Sequence, residues 1–235
     1  MPKPPPFVAF APSHLAVLAL VAALAGGMIW VARSGRWPAL AKTQEIALVV
    51  LLLAGWPAEW LSSVYMKAVT WETILPVQLC DLASFAAALT LLTKNRLTAE
   101  LAYFWAMAGT VNGLITPALD FAFPHPAFWA FFLLHGSVVA AAAYVIGGLR
   151  LWPRPGAVWR AFGCSVLYLC IILLLNKWLG TNFAFVCEKP ETASLMDALG
   201  PWPWYVLALI PLSLVIFTVL YTPFYLLRRF GRKGA

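Results

Sequence analysis

The chain of 235 residues is 63% apolar and 11% charged, which excludes an ordinary soluble domain, where about a quarter of residues carry charge. Its net charge of +7 would suit nucleic acid, but the basic residues fall between apolar runs and not on an amphipathic or aromatic-interleaved face, so that partner class is excluded. The expected fold is all-α: a polytopic integral membrane bundle of about seven transmembrane helices over residues 13–228, with an extramembrane segment 1–12 and a basic cytoplasmic tail 229–235.

In chain order, the Pro-rich segment 1–12 contains no short apolar stretch with a small-residue cleavage site, so no cleaved signal peptide is expected. The predicted spans are residues 14–31, 44–66, 74–93, 100–117, 127–149, 159–178 and 204–227. Helix breakers fall between them: Ser34-Gly35, Pro124 with Pro126, Pro153 with Pro155, Pro190, and Pro201 with Pro203.

Cytoplasmic loops carry the positive excess. Arg33, Arg36 and Lys42 follow the first span, Lys94 and Arg96 the third, and Arg150, Arg154 and Arg160 the fifth, while Arg228, Arg229, Arg232 and Lys233 end the chain. The opposite loops hold Lys3, Lys67, Lys177 and Lys189 among Glu72, Asp120, Glu188, Glu191 and Asp197. The amino terminus is therefore expected outside and the carboxy terminus inside, in a bacterial inner membrane. Trp56, Trp60, Trp71, Trp129, Trp178, Trp202 and Trp204 lie near the outer span ends, as an interfacial belt would.

Polar groups inside apolar spans are expensive and point to function. Gln78, Cys80, Asp81 and Ser84 in span three lie on the order of 6 to 15 Å below its outer end, and His135 in span five about 12 Å down, at 1.5 Å per residue. Glu59 in span two sits about 10 Å from its outer end by the same rise. Span four delivers Asn112 and Thr116 to that level, and span six ends in Asn176 and Lys177. Gln78, Ser84, Asn112 and Asn176 could line a polar cavity or only glue helices together. Glu59 and Asp81, as carboxylates at such depth, must be paired, protonated or wet.

Cys80 and His135 at one height supply a thiol and a base, and Asp81 or Glu59 a carboxylate to orient the imidazole, the parts of nucleophilic catalysis. Cys164 and Cys170 are six residues apart on different faces and are expected to pack, while Cys187 lies in an outer loop. Four cysteines at these spacings form no zinc pattern, and no metal or cofactor is expected. His125, between two prolines, is expected in a solvated turn.

Segments 74–85 (ILPVQLCDLASF), 103–117 (YFWAMAGTVNGLITP), 131–136 (FFLLHG), 179–183 (LGTNF) and 199–205 (LGPWPWY) make the chain resemble the YwaF-like bacterial membrane protein family, related to eukaryotic transmembrane protein 164. The resemblance implies a membrane acyltransferase that moves fatty acyl chains onto ether lysophospholipids, with a cysteine nucleophile and a histidine partner. By motif these are Cys80 and His135. Asn182 of the LGTNF segment joins the candidate substrate-binding set of Gln78, Ser84, Asn112, Thr116 and Asn176. The expected reaction is acyl transfer between membrane phospholipids or lysophospholipids through a Cys80 thioester, with Gln78 and Asn112 as candidates to stabilise the oxyanion. The alternative expectation is a proton-coupled transporter, or a small-ligand or lipid-binding membrane protein, built on Glu59, Asp81 and His135.

Overall fold

The computed structural model describes residues 5–190 and 195–230. Lys3, Glu191, Arg232 and Lys233, which entered the topology reading, lie outside the described residues. The described residues form an all-α bundle whose only strand-like feature is an isolated bridge between Pro6 and Phe121. Its helices are α1 (Pro12–Ser34), α2 (Pro38–Tyr65), α3 (Trp71–Ile74), α4 (Leu79–Thr93), α5 (Arg96–Trp105), α6 (Val111–Ile115), α7 (Pro126–Gly147), α8 (Ala157–Leu179) and α9 (Trp204–Phe230).

Six stretches are long and apolar enough to cross a membrane: α1, α2, Trp71–Thr93, α7, α8 and α9. The chain is a multi-pass membrane protein. The seventh expected span differs in kind. It runs as helix from Arg96 to Ile115, about 30 Å at the α-helical rise, but through a π turn at Ala106–Thr110.

Local chemistry explains the boundaries. Proline occupies the first turn of α1, α2 and α7, where its missing N–H costs nothing and its fixed φ suits a helix. Asn95 caps α5 by accepting from the Leu97 and Thr98 amides. His125, expected in a solvated turn, instead caps α7, its Nδ1 accepting from the Ala127 amide at 3.2 Å. Span three also departs from expectation. Pro76 keeps the residue before it out of helical geometry, and Leu75 is extended at φ −94°, ψ 120°. The span therefore breaks into a one-turn α3 and a helix α4 that begins only at Leu79.

Helix α7 is the hub. It packs against α1, α2, α4, α5 and α6, and its small residues Ala130, Ala140, Ala141 and Ala142 are buried, which lets neighbouring backbones approach closely. The tightest crossing is with α2. A Cβ on Gly55 would stand 2.6 Å from Leu134 Cδ1 and 3.0 Å from Leu134 Cα, so only glycine fits there. Glu59 lies one turn beyond Gly55 on the same face of α2, and His135 follows Leu134. This contact therefore sets how those two side chains meet. By contrast α8 and α9 expose Leu167, Ile171, Leu174, Val215 and Val219, the surface expected toward lipid.

The two ends of the bundle are chemically different. At the end carrying the arginines, Glu100 is buried and accepts from Arg154 at 2.9 Å and Arg160 at 2.8 Å. Glu45 accepts from Lys94 at 2.7 Å and from the Tyr144 hydroxyl at 3.2 Å, and Arg228 donates to the Pro153 carbonyl. The opposite end holds His14, fully buried, which accepts from the Phe10 amide at 2.9 Å and bonds the Leu114 carbonyl at 2.8 Å through Nε2. His14 thereby fastens the end of α6 to α1.

Candidate functional site

The start of α4 is built from both sides. Gln78 is its N-cap: the side chain receives the Asp81 amide, and Asp81 Oδ2 in return accepts from the Gln78 amide at 3.1 Å, the reciprocal arrangement of a capping box. Gln78 Oε1 also accepts from the Ala184 amide at 2.9 Å, and the Tyr168 hydroxyl donates to the Val77 carbonyl at 2.9 Å. The loop after α8 and helix α8 itself thus pin the lead-in to α4. Gln78 precedes the helix instead of lying within it.

Cys80 is the second residue of α4. It therefore lies in the first turn of that helix, beside the amides that have no partner within the helix. The residue is neither fully buried nor fully exposed and forms no disulfide. Thr110, at the last position of the π turn, donates its hydroxyl to Cys80 Sγ at 3.6 Å.

His135 sits on the buried side of α7. Nδ1 donates to the Phe131 carbonyl one turn earlier at 2.9 Å, because a carbonyl cannot donate. The neutral ring therefore carries its lone pair on Nε2. Phe131 stacks on the ring with centroids 3.9 Å apart and planes at 14°. Glu59 Oε1 lies 3.8 Å from Nδ1, with the Glu59 side chain one-third exposed. The Nε2 edge faces α6: a Cβ on Gly113 would be 3.3 Å from Cδ2 and 3.7 Å from Nε2.

Thr110 and Gly113 are three residues apart, neighbours on one helical surface about 5–6 Å from each other. Cys80 meets this wall at Thr110 and His135 meets it one turn further on. Glu59 is within electrostatic reach of His135, Asp81 and Cys80, and Asp81 is within reach of His135. Among the described residues no hydrogen bond joins Cys80 to His135. Asp81 spends Oδ2 on the cap; its Oδ1 is buried and unpartnered, as is Trp56 Nε1 on α2. Of the two carboxylates expected near the imidazole, Glu59 is the one at Nδ1.

The remaining sequence-selected residues divide. Ser84 donates to the Leu52 carbonyl at 2.8 Å, joining α4 to α2. Asn176 accepts from the Phe183 amide and the Thr181 hydroxyl and donates to the Phe183 carbonyl. Asn182 accepts from the Cys187 and Glu188 amides and donates to the Glu188 carbonyl. These three side chains are bonded into the scaffold. Thr116 turns its hydroxyl back to the Asn112 carbonyl at 3.0 Å. Asn112 is exposed beside Gly113. Cys164 is partly buried and Cys170 and Cys187 are exposed, none of them beside Cys80. Thr110, Gly113 and Phe131 escaped the sequence reading. The glycines at 109 and 113 around Thr110 were the available signal, since paired glycines in an apolar helix mark a close approach. No group of three or more metal-ligating side chains occurs among the described residues.

A thiol at a helix start and an imidazole with its lone pair on the nitrogen away from a carboxylate thus lie against one buried wall of this multi-pass bundle. The TMEM164 family model matches residues 9–221, and the chain belongs to that family. A Treponema pallidum (strain Nichols) relative, described only as an uncharacterized protein, is 26% identical over 159 residues, covering 66% of this chain and 64% of its own length. The chain thus spans a little under two thirds of that relative. No solved structure matches.

Proposed function

We propose that this protein is a membrane-embedded acyltransferase or transacylase that works on phospholipids or lysophospholipids through a thioester on Cys80. The carrying observation is the placement of Cys80 and His135 against one wall of α5 and α6, the sulfur at a helix start and Nε2 turned toward that wall. In the first half-reaction Cys80 loses its proton to Nε2, and the thiolate attacks the ester carbonyl of a phospholipid. The C–O bond breaks, and the lysolipid alkoxide leaves with the proton held on Nε2. In the second, the hydroxyl of an acceptor lysolipid gives its proton to Nε2 and attacks the thioester, and the sulfur leaves. Water in place of that hydroxyl makes the protein a lipase. Glu59 beside Nδ1 stabilises the imidazolium in both halves. The sulfur and the ring meet the wall at residues one helical turn apart and are not bonded to each other, so the proton crosses through one intervening hydroxyl or after a small shift of the ring, a looseness common before substrate binds.

The arginine-rich end faces the cytoplasm by the charge rule for short loops, which sets the site toward the outer leaflet of a bacterial inner membrane.

The test is reconstitution with a phospholipid carrying an alkyne-tagged acyl chain, followed by mass spectrometry of the protein and of added lysophospholipid. A hydroxylamine-sensitive acyl adduct on Cys80, absent in Cys80→Ser with the bundle still folded, is expected. Transfer at the full rate in Cys80→Ser would remove the proposal.

A further inference from the structure

Each other helical threonine among the described residues turns its hydroxyl back onto its own helix, although Thr90 on α4 also meets the Thr98 hydroxyl on α5 at 2.8 Å. Thr43, Thr90, Thr93, Thr218 and Thr222 donate to the carbonyl four residues earlier, at 2.6–3.0 Å. Thr73 and Thr98 donate three residues back. This is the ordinary habit of a helical threonine. Thr110 breaks it. Its hydroxyl leaves the helix and donates to the sulfur of Cys80 on α4, although the residue is fully buried.

The departure coincides with the π turn. The carbonyl four residues before Thr110 belongs to Ala106, and that carbonyl receives the Val111 amide across the widened turn. The Thr110 hydroxyl takes the sulfur instead of that carbonyl. An inserted residue of this kind is uncommon in helices and recurs at functional sites. Here it interrupts the span against which both the thiol and the imidazole pack. The titratable groups around the sulfur are Asp81 on its own helix, Glu59 on α2 and Tyr168 on α8, with His135 beyond Glu59 on α7. None of them donates a hydrogen bond to it, so Thr110 is the side-chain donor that the sulfur has among the described residues.

We infer that Thr110, presented by the π turn, is a positioning residue whose hydroxyl holds the Cys80 sulfur and stabilises the thiolate that forms when the proton passes to His135. This deepens the acyl-transfer reading and rests on Cys80 as the nucleophile. A thiolate only accepts hydrogen bonds, and a donated hydroxyl at the sulfur both lowers the cost of the negative charge and fixes the direction of attack.

The experiment reads the thiol itself and not acyl transfer, so it can fail independently of the function proposed above. In the full-length protein with Cys164→Ala, Cys170→Ala and Cys187→Ser, the rate of Cys80 alkylation by iodoacetamide is measured from pH 6 to 11. Hydrogen bonds to charged groups are worth about 1.5–3 kcal/mol, so Thr110→Val is expected to slow alkylation about tenfold or more at neutral pH, with the deficit closing at high pH where the thiol ionises unaided. Thr110→Ser should restore the parental profile. Thr110→Ala, which crowds nothing, repeats the measurement if the valine disturbs packing. Coincident profiles for the hydroxyl-bearing and hydroxyl-free proteins, or a serine variant no better than valine, would overturn the inference. A normal threonine effect on alkylation in a protein without acyl transfer would leave the inference standing and remove the function instead.

Discussion

Two pairs of carboxylates, one toward each end of the bundle, are treated in opposite ways. At the arginine-rich end Glu100 is almost fully buried, yet both of its oxygens are taken by Arg154 and Arg160. Glu45 nearby is taken by Lys94 and Tyr144. At the other end Glu59 has only a 3.8 Å approach to the His135 ring, and Asp81 keeps one buried oxygen with no partner. Saturated carboxylates hold helices together. Carboxylates left short of partners are expensive unless something else gains from them, and here they surround a thiol and an imidazole. The contrast supports the proposed division between scaffold and site.

The sharpest way to break that comparison is to change one histidine and one glutamate. His135→Asn removes the proposed base while leaving a polar side chain in place, and acyl transfer should fall by about 10²–10⁴, the usual contribution of a general acid or base. Thermal unfolding should barely move. Glu100→Gln should do the reverse. It strands two arginines that now share one buried partner, a loss of about 3 kcal/mol, seen as a lower unfolding temperature with transfer per folded molecule unchanged. An equal rate loss in both variants would mean that the two ends are not functionally distinct.

How much of this was legible beforehand depends on what each feature requires. Spans need only composition and length, so the apolar runs, their breakers and the gathering of arginines at one end could be read from the chain. Helical rise put Cys80 and His135 at one height, an expectation that took span three as unbroken helix, whereas it breaks between Ile74 and Leu79. The true start of α4 was harder. Pro76 marks the break, but glutamine is not among the favoured cap residues, and Gln78 acts as one because Ala184 and Asp81 close around it. Asn176 looked like a site residue because polar groups near a span end resemble a cavity lining, and Asn182 because it falls in the LGTNF segment; their partners are amides five to seven residues further on, brought back by the fold of the loop after α8. The π turn had no sequence pattern at all. It is a tertiary result, visible only once α4 and α7 are packed against α5 and α6.

Gly55 carries the comparison to its smallest test. It belongs to neither end: it lies where α2 crosses α7, pressed on Leu134, with Glu59 one turn along. A methyl group there meets backbone as well as side chain, so the helices must part by some tenths of an ångström, at about 1–3 kcal/mol for an overpacked contact. Gly55→Ala should therefore lower the unfolding temperature less than Glu100→Gln does. It should also weaken transfer, because parting α2 from α7 lengthens the Glu59 to His135 approach, which has no hydrogen bond to hold it. Glu59→Gln in the Gly55→Ala background decides the route. If the glycine acts through Glu59, the second substitution adds little to the rate loss of the first. If the two losses multiply in full, the crossing supports the site by some other path, and the open carboxylate at Nδ1 is not what the tight contact positions.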